Sequence, residues 1–82
     1  MDNILNIVVR KRDGIVFAGT AKSFSSLNDV GPFDILPQHT NFVSVINDKL
    51  QIIRPDNKIT DILITRGVVR VRNNEVEVFL GV

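Results

Sequence analysis

Apolar residues recur along this chain with a period of two, and no stretch shows a convincing period of 3.6 with helix caps. A core must therefore be built from strands alone. Ile4-Leu5-Asn6-Ile7-Val8-Val9 is β-rich and ends in Arg10-Lys11-Arg12-Asp13-Gly14, where Asp-Gly in a charged cluster signals a turn. Ile15-Val16-Phe17-Ala18-Gly19 resumes the pattern, which predicts an N-terminal hairpin. Thr20 to Leu27 reads as a weaker strand, with Ala21 and Phe24 among polar residues. Asn28 to Pro32 is a loop by composition, and Phe33 to Leu36 a short extended piece stopped by Pro37. Phe42 to Ile46 and Leu50 to Ile53 read as the two arms of a hairpin closing at Asn47-Asp48. Pro55 to Lys58 is a turn, Ile59 to Thr65 the next strand, and Arg66-Gly67 is expected to break it.

The last hairpin is the most fully specified. If Asn73-Asn74 forms a two-residue type I′ loop, Arg72 faces Glu75 and Arg70 faces Glu77. The same register pairs Val71 with Val76 and Val69 with Val78 on the opposite face, as a half-buried antiparallel pair requires. Eight or nine short strands with turns roughly every 8–12 residues predict an all-β sandwich or barrel. For 82 residues, area scaling buries about 63% of the unfolded surface, enough for one thin core. A single domain spanning 1–82 is expected, with no second domain, repeat or linker.

Composition removes several functions. With no cysteine, disulfides, zinc fingers, thiol nucleophiles and iron–sulfur sites fall away. The net charge of +1 supplies no large field toward nucleic acid or membrane. The acidic residue before the first apolar run reverses the charge order of a signal peptide, and no apolar stretch reaches the roughly 18–20 residues of a membrane helix. The scattered glycines form no phosphate-binding loop, and the serines no nucleophile elbow. The one histidine, His39, has no nucleophile or carboxylate at a telling spacing, and no metal-ligand pattern surrounds it. No catalytic, cofactor or metal residue is therefore assigned. Arg10-Lys11-Arg12 is the one basic run, read as a solvated turn or as a phosphate grip of a small single-strand-binding barrel. The second reading lacks Trp and Tyr platforms. Between Val30 and Pro37, Phe33, Ile35 and Leu36 either plug the end of the sandwich or lie exposed for a partner.

Gly31-Pro32-Phe33-Asp34-Ile35-Leu36-Pro37-Gln38-His39 resembles the G-x-F-G-I-L-P-G-H signature of the epsilon subunits of F-type ATP synthases. Ile7 to Gly19 is similar to that family's opening I-V-T-P-E-x-x-V-F-x-G, and Thr65 to Val71 to its S-G-G-x-x-E-V. Asp34, Gln38 and Arg66 stand where the family commonly has glycine. The resemblance implies a β-sandwich of two antiparallel sheets with about eight to ten short strands. It implies a non-catalytic central-stalk subunit without a cofactor, joining the gamma subunit to the membrane rotor ring and coupling ion translocation to ATP synthesis. The chain would be peripheral to the membrane, on the cytoplasmic face of the cell or energy-coupling membrane, with no direct insertion and no nucleic-acid partner. Lys11, His39 and Ser44 match gamma-contact positions, and Asn28, Asp29, Val30, Gly31, Pro32 and Phe33 the loop nearest the ring. Family members usually continue as a helical hairpin, and this chain is expected to stop where that hairpin would begin.

Overall fold

The strand pattern resolves into seven elements in the structure, a computed structural model that describes residues 3–81. Of the expected domain 1–82, Met1, Asp2 and Val82 lie outside the described residues. The strands are β1 (Leu5–Lys11), β2 (Gly14–Ala21), β3 (Ser23–Asn28), β4 (Gly31–Ile35), β5 (Phe42–Ile53), β6 (Ile59–Arg72) and β7 (Glu75–Leu80). Among the described residues there is no helix. The hydrogen-bonded order is β2-β1-β7-β6-β5-β3-β4, leaving β2 and β4 as edges.

Alternation puts Leu5, Ile7 and Val9 of β1 and Val76 and Val78 of β7 inside. They join Ala21, Phe24, Ile35, Ile46, Leu50, Ile52, Val69 and Val71, so every strand feeds one buried cluster. With no helix to cover it, the sheet can bury this face only by folding back on itself. The shortest extent, 19 Å, suits two sheet layers about 10 Å apart. A bond from Lys22 N–H to the Ile53 carbonyl (2.7 Å) ties the β2–β3 corner to the end of β5. The result is an all-β sandwich made from one continuous mixed sheet.

The C-terminal hairpin has the expected register throughout, pairing Arg72 with Glu75, Val71 with Val76, Arg70 with Glu77 and Val69 with Val78. Asn73 and Asn74 have φ of 51° and 64°, as a type I′ turn requires. Arg70 and Glu77 form an ion pair across it. One pairing is not antiparallel. β1 runs parallel to β7, from Asn6 opposite Glu75 to Arg10 opposite Phe79.

Two expected breaks do not occur, which is why there are seven strands rather than eight to ten. Asn47-Asp48 does not turn the chain, and β5 runs through it as one strand. Asp48 takes φ of 73°, and the register with β6 jumps from Asn47 opposite Arg66 to Lys49 opposite Leu63. Asp48 thus opposes both Ile64 and Thr65, a β-bulge in which β6 holds the extra residue. Its side-chain parity changes there. Thr60, Ile62 and Ile64 point inward before the bulge, and Gly67, Val69 and Val71 after it. Nor does Arg66-Gly67 end a strand. Gly67 is buried where an added Cβ would lie 2.8 Å from the Phe79 carbonyl oxygen, so the glycine serves close backbone approach instead of a turn.

Candidate interaction surfaces

The segment expected as a loop from Asn28 to Pro32 is a tight hairpin tip. Asn28 pairs with Gly31 and Leu27 with Pro32, leaving only Asp29-Val30 as the turn. Gly31 leaves the turn at φ of 138°, a region open to a residue without Cβ. Pro32 lies on edge strand β4, where a missing donor is tolerated. Val30 is 96% exposed at the apex. The Asn28 side chain holds the tip: its Oδ1 accepts from the backbone N–H of Val30 (2.9 Å) and Gly31 (3.2 Å). Its Nδ2 donates to Ser44 Oγ on β5 at 3.1 Å. Two expected contact residues, Asn28 and Ser44, are therefore joined by one carboxamide.

Between Val30 and Pro37 both readings apply to different residues. Ile35 is buried and Phe33 packs on the core, whereas Val30 and Leu36 are exposed. Phe33 lies 5.3 Å from Phe42 between ring centroids, and His39 meets the same Phe42 ring edge-on at 5.7 Å. The following loop makes a turn in which His39 N–H donates to the Leu36 carbonyl at 3.1 Å. With Pro37 second and Gln38 third at φ of 73°, this is a type II turn. The positive φ at Gln38 accounts for the glycine that the resembling signature carries there. Gln38 N–H donates to Asn74 Oδ1 at 2.7 Å, docking the loop on the β6–β7 turn. His39 Nδ1 lies 2.8 Å from the Thr40 carbonyl oxygen.

Lys11 is not near His39. It ends β1 beside Phe79, Leu80 and Gly81, whereas His39 lies with Asn73 and Asn74 at the opposite end of the strands. The basic run is also divided. Arg10 and Lys11 are strand residues, and only Arg12-Asp13 forms the turn. Arg10 is half-buried with its guanidinium carbon 5.8 Å from the centroid of Phe79. Among the described residues no three His, Cys, Asp or Glu side chains gather as metal ligands, and no helix is long and apolar enough to cross a membrane.

Sequence reasoning missed the outer face of β5. Ser44 shares the inward side with Phe42 and Ile46, while Val43 and Val45 point out, Val43 being 66% exposed. The alternation Val43-Ser44-Val45 gave no signal of this, because valines flanking a serine face the core in an ordinary half-buried strand.

Residues 4–81 match the model of the ATP synthase delta/epsilon chain β-sandwich domain, and the chain belongs to that family. Over 77 residues it is 32% identical to an ATP synthase epsilon chain of Clostridium botulinum, covering 93% of this chain and 56% of that protein. Over 72 residues it is 31% identical to one from Nitratiruptor, covering 87% and 56% respectively. The chain thus spans about half the length of the curated relatives it matches. The fold superposes on a chain in the Euglena gracilis mitochondrial ATP synthase OSCP/F1/c-ring structure with a TM-score of 0.90 at 13% identity, covering 98% of this chain and 52% of the other. A chain of the Tetrahymena thermophila mitochondrial ATP synthase central stalk and c-ring gives 0.75 at 18% identity, covering 93% and 62%.

Proposed function

We propose that this chain is a non-catalytic part of the rotating central stalk of an F-type ATP synthase. It would join the gamma subunit to the membrane rotor ring and so couple ion translocation to ATP synthesis. It would act at the cytoplasmic face of the cell or energy-coupling membrane, peripheral to it through the complex. The observation that carries the reading is the family match from residue 4 to 81 on a sandwich whose 28–33 tip is braced from within. A torque-bearing part must be stiff, and close packing of one core shared by every strand supplies that. The tip presents Asp29 and Val30 to the ring, and its tether through Asn28 to Ser44 passes load into β5. Lys11, His39 and Ser44 remain the gamma contacts that the resemblance suggests, reached from different ends of the sheet.

The test is co-purification with the gamma subunit of the same organism. A stable complex is expected, with no ATPase activity from the chain alone; failure to bind gamma would sink the reading. Added ATP should leave the thermal midpoint unchanged, since a ligand stabilises only what it binds. The nucleic-acid alternative needs several cations on one surface and an open aromatic ring. Here the basic run is divided and the Phe79 face is occupied by Arg10.

A further inference from the structure

The two open edges of the sheet, β2 and β4, differ in what their backbone presents to solvent. In an antiparallel pair, residues alternate between bonding across the ladder and directing N–H and C=O away from it. On β4 the pair that closes the two-residue turn is Asn28 with Gly31, so the residues turned outward are Pro32 and Asp34. Pro32 has no N–H to give and Asp34 brings a charge, two devices that keep an edge from pairing with another chain.

β2 lacks such a guard over residues 17–21. Asn6 N–H donates to the Asn74 carbonyl on the β7 side (2.8 Å), so Asn6 turns its backbone away from its β2 partner Thr20. Thr20, and by alternation Ala18, therefore direct N–H and C=O off the open edge. The same parity reappears at Lys22, whose N–H reaches the Ile53 carbonyl at 2.7 Å. Ala18, Gly19 and Thr20 are exposed, and residues 15–21 contain neither charge nor proline. A bulge at Val16, opposite the step from Val9 to Arg10, bounds the stretch at its other end. Between them the backbone of Ala18 and Thr20 has no partner strand among the described residues.

We propose that this edge is a self-association site, where a second copy of the chain adds its own β2 antiparallel about a two-fold axis through Gly19. In that register Ala18 faces Thr20 of the second copy and Thr20 faces its Ala18, which satisfies every outward N–H and C=O of both residues. A slide of two residues either way would need Val16 in the bulge or the Lys22 N–H already given to Ile53. Gly19 meets Gly19 of the second copy where the backbones come closest, and the absence of side chains there permits the approach. Beside the edge lies a cleft of about 470 Å³ between residues 17–20 and 54–56. Its far wall holds one cation, Arg54, and one anion, Asp56, and among the described residues neither takes part in an ion pair. The two-fold sets both walls on one side of the joined sheet, so Arg54 of each copy can meet Asp56 of the other. A foreign strand would share the backbone bonds without this reciprocal charge match. The ladder is short, so the interface falls below the roughly 1,200 Å² of stable complexes and the association is weak and reversible.

The test follows the mass of the free chain by sedimentation as concentration rises, together with amide hydrogen exchange. The mean mass should climb from that of one chain toward that of two. The Ala18 and Thr20 amides, open in the monomer, should gain protection as it does. Thr20→Pro removes one outward donor without touching the β1 ladder and should abolish the dimer. Ala18→Lys places a guarding charge at an exposed position and should do the same with the thermal midpoint held, which decides the matter if the proline variant does not fold. Val43→Lys, on the outer face of β5 and away from the edge, should leave association unchanged. The proposal is overturned by a chain that stays monomeric at its highest soluble concentration, by a mass increase without protection of Ala18 and Thr20, or by dimers that survive Ala18→Lys. Loss of the dimer in Val43→Lys would move the contact to the sheet face and overturn it equally. None of these outcomes bears on the stalk reading, which gamma binding tests separately.

Discussion

The β6–β7 and β3–β4 hairpins both reverse on two residues, yet they are held by different means. β6–β7 lies inside the sheet, flanked by β5 and β1, and its turn follows from two asparagines that accept positive φ. β3–β4 lies at an edge, with β5 on one side and, among the described residues, no strand beyond β4. Its apex depends on a single carboxamide, that of Asn28. Ladder bonds on both sides make the central hairpin a structural element. The edge hairpin is free to present its apex, and its shape rests on side-chain chemistry that a single substitution can remove.

The contrast can be broken first at the root. Phe24→Ala removes a fully buried ring from β3 and should cost about 3–5 kcal/mol. If the two hairpins belong to one cooperative unit, chemical denaturation will show a single transition at lower denaturant. Separate melting of β3–β4 would show that the edge hairpin is an independent part. Asn28→Ala should cost about 1–2 kcal/mol, with faster hydrogen exchange at the Val30 and Gly31 amides. Asn28→Asp sharpens this, because it keeps the acceptor for both amides and loses the donor to Ser44. Amide protection at the tip should survive in Asn28→Asp while stability still falls.

Smaller effects are expected in the central hairpin. Asn74→Ala forces a left-handed residue without a polar side chain and removes the acceptor of Gln38 N–H. About 1 kcal/mol should be lost in equilibrium unfolding, with the turn still formed. A greater loss of tip protection here than in Asn28→Ala would reverse the comparison. Arg70→Ala should cost only about 0.2–1 kcal/mol, as an exposed cross-strand pair does.

The same two hairpins mark what could be read from residues alone. β6–β7 was legible because turn type, charge pairing and alternation agree on one register. The middle of the chain was not. Asn47-Asp48 and Arg66-Gly67 carry the composition of turns, but that composition serves equally a bulge and a close backbone approach. Only the neighbouring strand decides between them. Family resemblance singled out the 28–33 segment as an expected contact, yet the Asn28–Ser44 bond depends on β3 pairing with β5, which no local spacing reveals. Alternation also fixes which residues share a side without saying which side is inside. Val43 and Val45 therefore gave no warning of their exposure.

The parallel pairing of β1 with β7 has a mechanical consequence. The start of β1 and the end of β7 lie at opposite ends of one ladder, running from Asn6 opposite Glu75 to Arg10 opposite Phe79. Tension applied between those two points loads the rungs in shear, so they must fail together rather than peel apart singly. In the stalk role proposed above, the chain would thus meet longitudinal pulls with the strongest orientation its hydrogen bonds possess.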